Sequence, residues 1–153
     1  MTNVMKRFFT IIIAIASLAT AAIGAESGWM TDFEASRQKA EKENKPILMN
    51  FTGSDFCPPC IMLTKEVFDT PEFKKYATEN LILMEVDFPQ SKPQSPSLKR
   101  QNASLAQALE IHGYPSLYLV THDLKVLTPR LGYYPGGPEV WIEGLEKFIK
   151  AAE

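Results

Sequence analysis

Apolar residues in this chain fall either into compact runs or into stripes at helical spacing, and the two patterns divide it into strands and helices. Ile47-Leu48-Met49-Asn50-Phe51 and the run Leu81 to Val86 read as strands buried on both faces. Ser116 to Val120 is a third strand, His122-Asp123 a turn, and Lys125 to Leu131 a fourth strand. Thr31-Asp32-Phe33-Glu34 has the form of a capping box and opens a polar helix that Asn44-Lys45-Pro46 stops near Glu43. From Pro58 onward, Ile61, Met62, Leu63, Val67 and Phe68 recur near helical spacing. Thr70-Pro71 starts a second helix there, with a cap followed by proline at the first position. Phe88 to Ser97 carries Pro89, Pro93 and Pro96 and reads as a loop before a helix from Ser97 to Leu109. Pro138 opens a last amphipathic helix through Trp141, Leu145, Phe148 and Ile149.

Strands separated by helices predict a parallel pair joined by right-handed crossovers, and the late strand–turn–strand predicts an antiparallel hairpin. An α/β fold with a mixed four-stranded sheet flanked by helices satisfies both. No internal repeat or low-complexity tract interrupts it.

The first residues follow another pattern. Lys6 and Arg7 precede an apolar run from Phe8 to Leu18, and Ile23-Gly24-Ala25 offers a cleavage site before Glu26. The apolar stretch, about 16 residues at most, is shorter than the roughly 20 of a spanning helix. The reading is a cleavable signal peptide over 1–25 and a single domain over 26–153, placed in the periplasm or secreted. Losing Lys6 and Arg7 takes the formal charge from −2 to −4. An acidic domain of this kind has no electrostatic basis for binding nucleic acid or an anionic membrane. One core fits this length, and a monomer is expected.

Cys57 and Cys60 are the only cysteines, within Asp55-Phe56-Cys57-Pro58-Pro59-Cys60. Random placement would give that spacing roughly once in 70 tries. A disulfide closing so small a loop constrains the unfolded chain little, so the pair points to chemistry. It stands where a strand ends and a helix begins, with Cys57 at the cap and Cys60 in the first turn. Free amides and the positive end of the helix dipole favour a thiolate there. An ionised Cys57 is both nucleophile and leaving group, and Cys60 would resolve the mixed disulfide. Pro58 and Pro59 each remove an amide donor, which predicts a milder pKa depression and a more reducing pair than in strong oxidants. Zinc would need four ligands, and His112 and His122 lie at no finger-like spacing, so neither a metal nor any other cofactor is expected.

These residues resemble the thioredoxin-like superfamily, specifically its small exported members with a CPPC motif. The resemblance rests on the strand leading to Cys57-x-x-Cys60, on Tyr114-Pro115 before a strand, on the final helix, and on Gly53-Ser54-Asp55-Phe56-Cys57 and Leu131 to Glu139. It implies a cis Pro115 facing Cys57, with the Tyr114 backbone pairing with an extended substrate segment. The residues alone leave cis and trans open. Phe56 stands where the family has tryptophan, keeping an apolar platform without the indole donor. Many members carry a buried acid where this chain has Asn50, which cannot titrate, so Glu85 is the candidate for proton transfer if it faces the pair. A partly exposed strand-end role is the alternative for Glu85. Asp55 reads as a turn former and His112 as a helix-end group.

The leading expectation is an exported thiol–disulfide oxidoreductase acting on protein disulfides, reductase or isomerase in character and supplied by a membrane electron donor. Two alternatives stay open. One is a copper-handling protein in which His112 or Met62 joins the cysteines. The other is a module that grips cysteine-containing partners without turnover.

Overall fold

The computed structural model describes residues 28–152. The expected signal peptide lies outside these residues. In chain order the elements are β1 (Trp29–Met30), α1 (Phe33–Glu43), β2 (Ile47–Thr52), α2 (Pro58–Leu63), α3 (Pro71–Asn80), β3 (Ile82–Asp87), α4 (Pro96–Ala108), β4 (Ser116–Val120) and α5 (Gly137–Ala152). A π-helical turn, Thr64–Phe68, continues α2 directly. Among the described residues no helix is long and apolar enough to cross a membrane.

The sheet runs β1-β3-β2-β4. β2 and β3 pair in parallel over their whole length, β1 lies parallel to β3, and β4 runs antiparallel to β2. The mixed four-stranded α/β sheet is as expected, but its fourth strand is a different one. Residues 125–131 make only isolated bridges to β4, at Val126 and Leu131. Pro129 has no amide to give, and the Thr128 hydroxyl, not a main-chain carbonyl, accepts the Leu119 amide at 3.1 Å. The ladder is therefore broken in its middle, and the fourth place falls to Trp29–Met30 at the opposite edge.

Alternation along β2 separates two layers. Leu48 points into a cluster with Leu63, Val67, Phe68, Phe73, Leu117, Trp141 and Leu145, contributed by α2, the π-turn, α3, β4 and α5. Ile47, Met49 and Phe51 point the other way, to Ala40 of α1 and Leu105 of α4. Both faces of β2 are covered, which is why its six residues are all buried.

The helix entrances share one device. Asp32, Thr70 and Ser95 each cap their helix by accepting the amide three residues on, from Ala35, Phe73 and Leu98. The cap of α1 is thus Asp32, where the sequence pattern suggested Thr31. A carboxylate one residue later reaches the free amide, and Glu34 instead bonds Arg37 and Gln38. At α2 the capping position is occupied by Cys57, whose sulfur accepts the Cys60 amide.

Candidate active site

β2 delivers the chain to the redox pair through a tight turn. Beyond Thr52, the amides of Phe56 and Cys57 both bond the Gly53 carbonyl, at 3.2 and 3.0 Å. Cys57 then caps α2 in an extended conformation and is disulfide-bonded to Cys60, with Cα atoms 5.2 Å apart. Pro58 and Pro59 take the first helical positions, where a missing N–H costs nothing. Cys60 therefore supplies the first amide this helix has, and it points at Cys57 Sγ from 3.3 Å. This is the arrangement that stabilises charge on the sulfur once the disulfide opens.

Cys57 is 7% exposed and Cys60 2%. Cys60, inside the first turn, is the more covered of the two, and Cys57 at the cap is itself buried. Its side chain folds back over the first turn to bond both the Cys60 amide and the Cys60 sulfur.

The Tyr114–Pro115 peptide bond is cis, and Pro115 is buried. The Tyr114 ring meets Phe56 edge-on, with centroids 6.4 Å apart, so the segment before Pro115 stands beside the residue before Cys57. Phe88 also stacks on this ring, at 5.3 Å and 21°. Burial, and then the charge of Asp87, hold the Tyr114 hydroxyl above its ordinary range. Phe88 was not singled out from the sequence, where it reads only as the first residue of a proline-rich loop.

Glu85 and Asn50 are register partners in β3 and β2. Each lies two residues beyond a member of the α2-side cluster, Leu83 and Leu48, so both side chains belong to the face on which α2 packs. Glu85 is half-buried, with Val86 and Asp87 still to follow it in β3. Burial first, then the Asp87 charge, raise its carboxyl, while Lys92 opposes them. Asn50 is buried, and its Oδ1 has no hydrogen-bond partner.

Asp55 does more than form a turn. One carboxylate oxygen accepts the Gln90 amide at 2.9 Å and the other accepts the Ser91 amide at 2.6 Å. These two bonds, the Gln90 one foremost, hold its pKa below the ordinary value. His112 and Met62 are both exposed. Among the described residues no group of three or more His, Cys, Asp or Glu side chains is placed to hold a metal ion.

Comparison with known proteins places relatives beside this geometry. The sequence model of the family described as Thioredoxin-like matches residues 28–121. The chain is 32% identical over 113 residues to the disulfide bond reductase DsbH of Chlamydia pneumoniae, covering 74% of this chain and 68% of that protein. It is also 32% identical over 95 residues to the thioredoxin-related protein DsbJ of the same organism, though this spans 62% of the chain and 27% of the longer DsbJ. A solved DsbH oxidoreductase structure superposes with a TM-score of 0.76 at 30% identity, covering 80% of this chain and 83% of that one.

Proposed function

Because the chain belongs to the Thioredoxin-like family, we propose that it is an exported reductase of protein disulfides, working through Cys57 and Cys60. At the coarser level it is a thiol–disulfide oxidoreductase akin to DsbH. The observation that carries the finer reading is the Cys57–Cys60 disulfide at the start of α2, with the Cys60 amide directed at Cys57 Sγ.

In the reduced protein, the Cys57 thiolate attacks one sulfur of a substrate disulfide. A mixed disulfide forms, and the other substrate sulfur leaves as a thiolate that takes a proton from water. The Cys60 thiol loses its proton and attacks Cys57 Sγ, breaking the mixed disulfide and expelling the second substrate sulfur as a thiolate, which takes its proton from water. The substrate gains two electrons and two protons, and the enzyme is left with the Cys57–Cys60 disulfide. Glu85 takes the Cys60 proton, since its raised carboxyl and its place on the α2 face suit a proton acceptor. Tyr114, Pro115 and Phe56 receive an extended substrate segment beside the sulfurs.

Export is supported by the pattern of residues 1–25. In an oxidising compartment the dithiol must be restored by an external dithiol donor, for which a membrane protein is the natural source. The test is turbidimetric reduction of insulin by dithiothreitol. Wild type should accelerate it and Cys57→Ser should not, whereas equal rates for the two would remove the enzymatic reading.

A further inference from the structure

The turn before Cys57 is bound on its outer side to the proline-rich loop of residues 88–95. Ser54 donates its amide and its hydroxyl to the two carboxylate oxygens of Asp87, at 2.9 and 2.6 Å. Asp55 takes two consecutive loop amides, one on each oxygen. Lys92 reaches back to the Ser54 hydroxyl at 3.1 Å. Charge-assisted bonds to a carboxylate are the stronger kind, and two on adjacent amides fix the loop in orientation as well as position.

Such a latch has a geometric result. The loop opens with Phe88, whose amide bonds the Thr52 carbonyl at 2.9 Å and whose ring lies flat on Tyr114. Phe56, 38% exposed, meets the same Tyr114 ring edge-on. Its ring lies over Gly53, where a Cβ would come within 2.5 Å of the ring atoms. Three aromatic rings from three separate segments thus form one continuous strip, and one end of it is covalently adjacent to the nucleophilic sulfur. Aromatic faces of this kind favour stacking with an aromatic partner, at offset or edge geometry.

We infer that the loop of residues 88–95 is part of the substrate surface, that Phe88 selects segments carrying an aromatic side chain a few residues along from the reacting cysteine, and that Asp55 is the positioning residue that holds Phe88 in place. The occupant is an extended, cysteine-bearing stretch of a client protein. Continuity of the strip with the redox turn argues for this occupant, because Phe56 is bonded directly to Cys57 and its ring meets that of Tyr114. This inference rests on the oxidoreductase reading above and adds a rule for which clients are preferred.

The experiment uses pairs of disulfide-linked peptides identical except for phenylalanine or alanine at one position, set about two, three or four residues from the cysteine to span the two ring contacts between Phe56 and Phe88. The readout is the ratio of kcat/KM for the two members of a pair on the same enzyme preparation, which cancels any loss of folded protein. At one of these spacings wild type should prefer the phenylalanine peptide by about tenfold, the scale of one aromatic contact. Phe88→Ala should bring the ratio close to one. Asp55→Asn keeps the side-chain shape but leaves one loop amide facing an NH2 group, so it should lower the ratio through a higher KM with kcat retained. A wild-type ratio near one at every spacing, or a preference that persists in Phe88→Ala, overturns the inference while leaving the reductase reading intact. A wild-type protein inert on all the peptides and on insulin overturns the reductase reading itself.

Discussion

Asn50 and Glu85 sit side by side in the two central parallel strands and face the layer that carries the redox helix. One is a buried amide whose Oδ1 meets no donor, and the other is a half-buried acid that burial pushes toward its neutral form. The polar floor beneath α2 is therefore unbalanced, and the two residues respond differently to substitution.

Asn50→Leu is expected to keep or raise stability. A buried acceptor without a partner costs about 1–3 kcal/mol, and leucine of similar size removes that cost. Urea unfolding of the oxidised protein should give an unchanged or higher midpoint. A midpoint lowered by the equivalent of more than about 1 kcal/mol would show that the amide makes contacts that outweigh the orphaned oxygen.

Glu85→Gln should change how stability depends on pH. The folded-state pKa of Glu85 is raised above the ordinary 4.5. Its favourable contribution is therefore complete below the ordinary value and is lost as pH rises through the folded value. Glutamine stays neutral throughout. The variant should melt higher than wild type at pH 8, and the gap should narrow toward pH 4. A constant gap across that range would sink the idea.

Asp55 has the opposite sign. Its folded pKa lies below the ordinary 3.8, so the stabilisation is present above that value and is lost as acid titrates the folded carboxylate. Asp55→Asn should therefore melt below wild type at pH 6, and the two curves should converge at pH 2. Thermal melts at both pH values measure this directly.

Trp141 is fully buried, stacks on Tyr134 with centroids 4.4 Å apart and meets Phe68 at 6.0 Å. Its Nε1 also donates to the Tyr134 carbonyl at 3.4 Å, which binds α5 to the segment that follows residue 131. Trp141→Ala should cost about 3–5 kcal/mol. Denaturant titration showing less than about 1 kcal/mol would mean that α5 repacks.

Cys60→Ser should halt turnover after the first exchange and leave Cys57 joined to its client. Non-reducing gels of cells expressing the variant should show bands that vanish with dithiothreitol and are absent in the Cys57→Ser,Cys60→Ser double variant. Empty lanes would argue against protein disulfides as the substrates.

The elements around the sulfurs were readable because their cues are local. Apolar runs mark β2, β3 and β4, and a cap followed by proline marks the start of α3. β1 escaped because two residues at a sheet edge make no period. Residues 125–131 alternate well enough to imitate a strand, yet Pro129 and the Thr128 side chain deny them a regular ladder. Cys57 and Cys60 stood out by spacing alone. Asp55 passed for a turn residue because its partners are 35 and 36 positions away. Phe88 was missed for the same reason, since only folding brings it onto Tyr114.

With Cys57 7% and Cys60 2% exposed, the oxidised pair is held nearly flush with its surroundings. Whatever exchanges with it must therefore come to the surface at Cys57 and cannot draw either residue out.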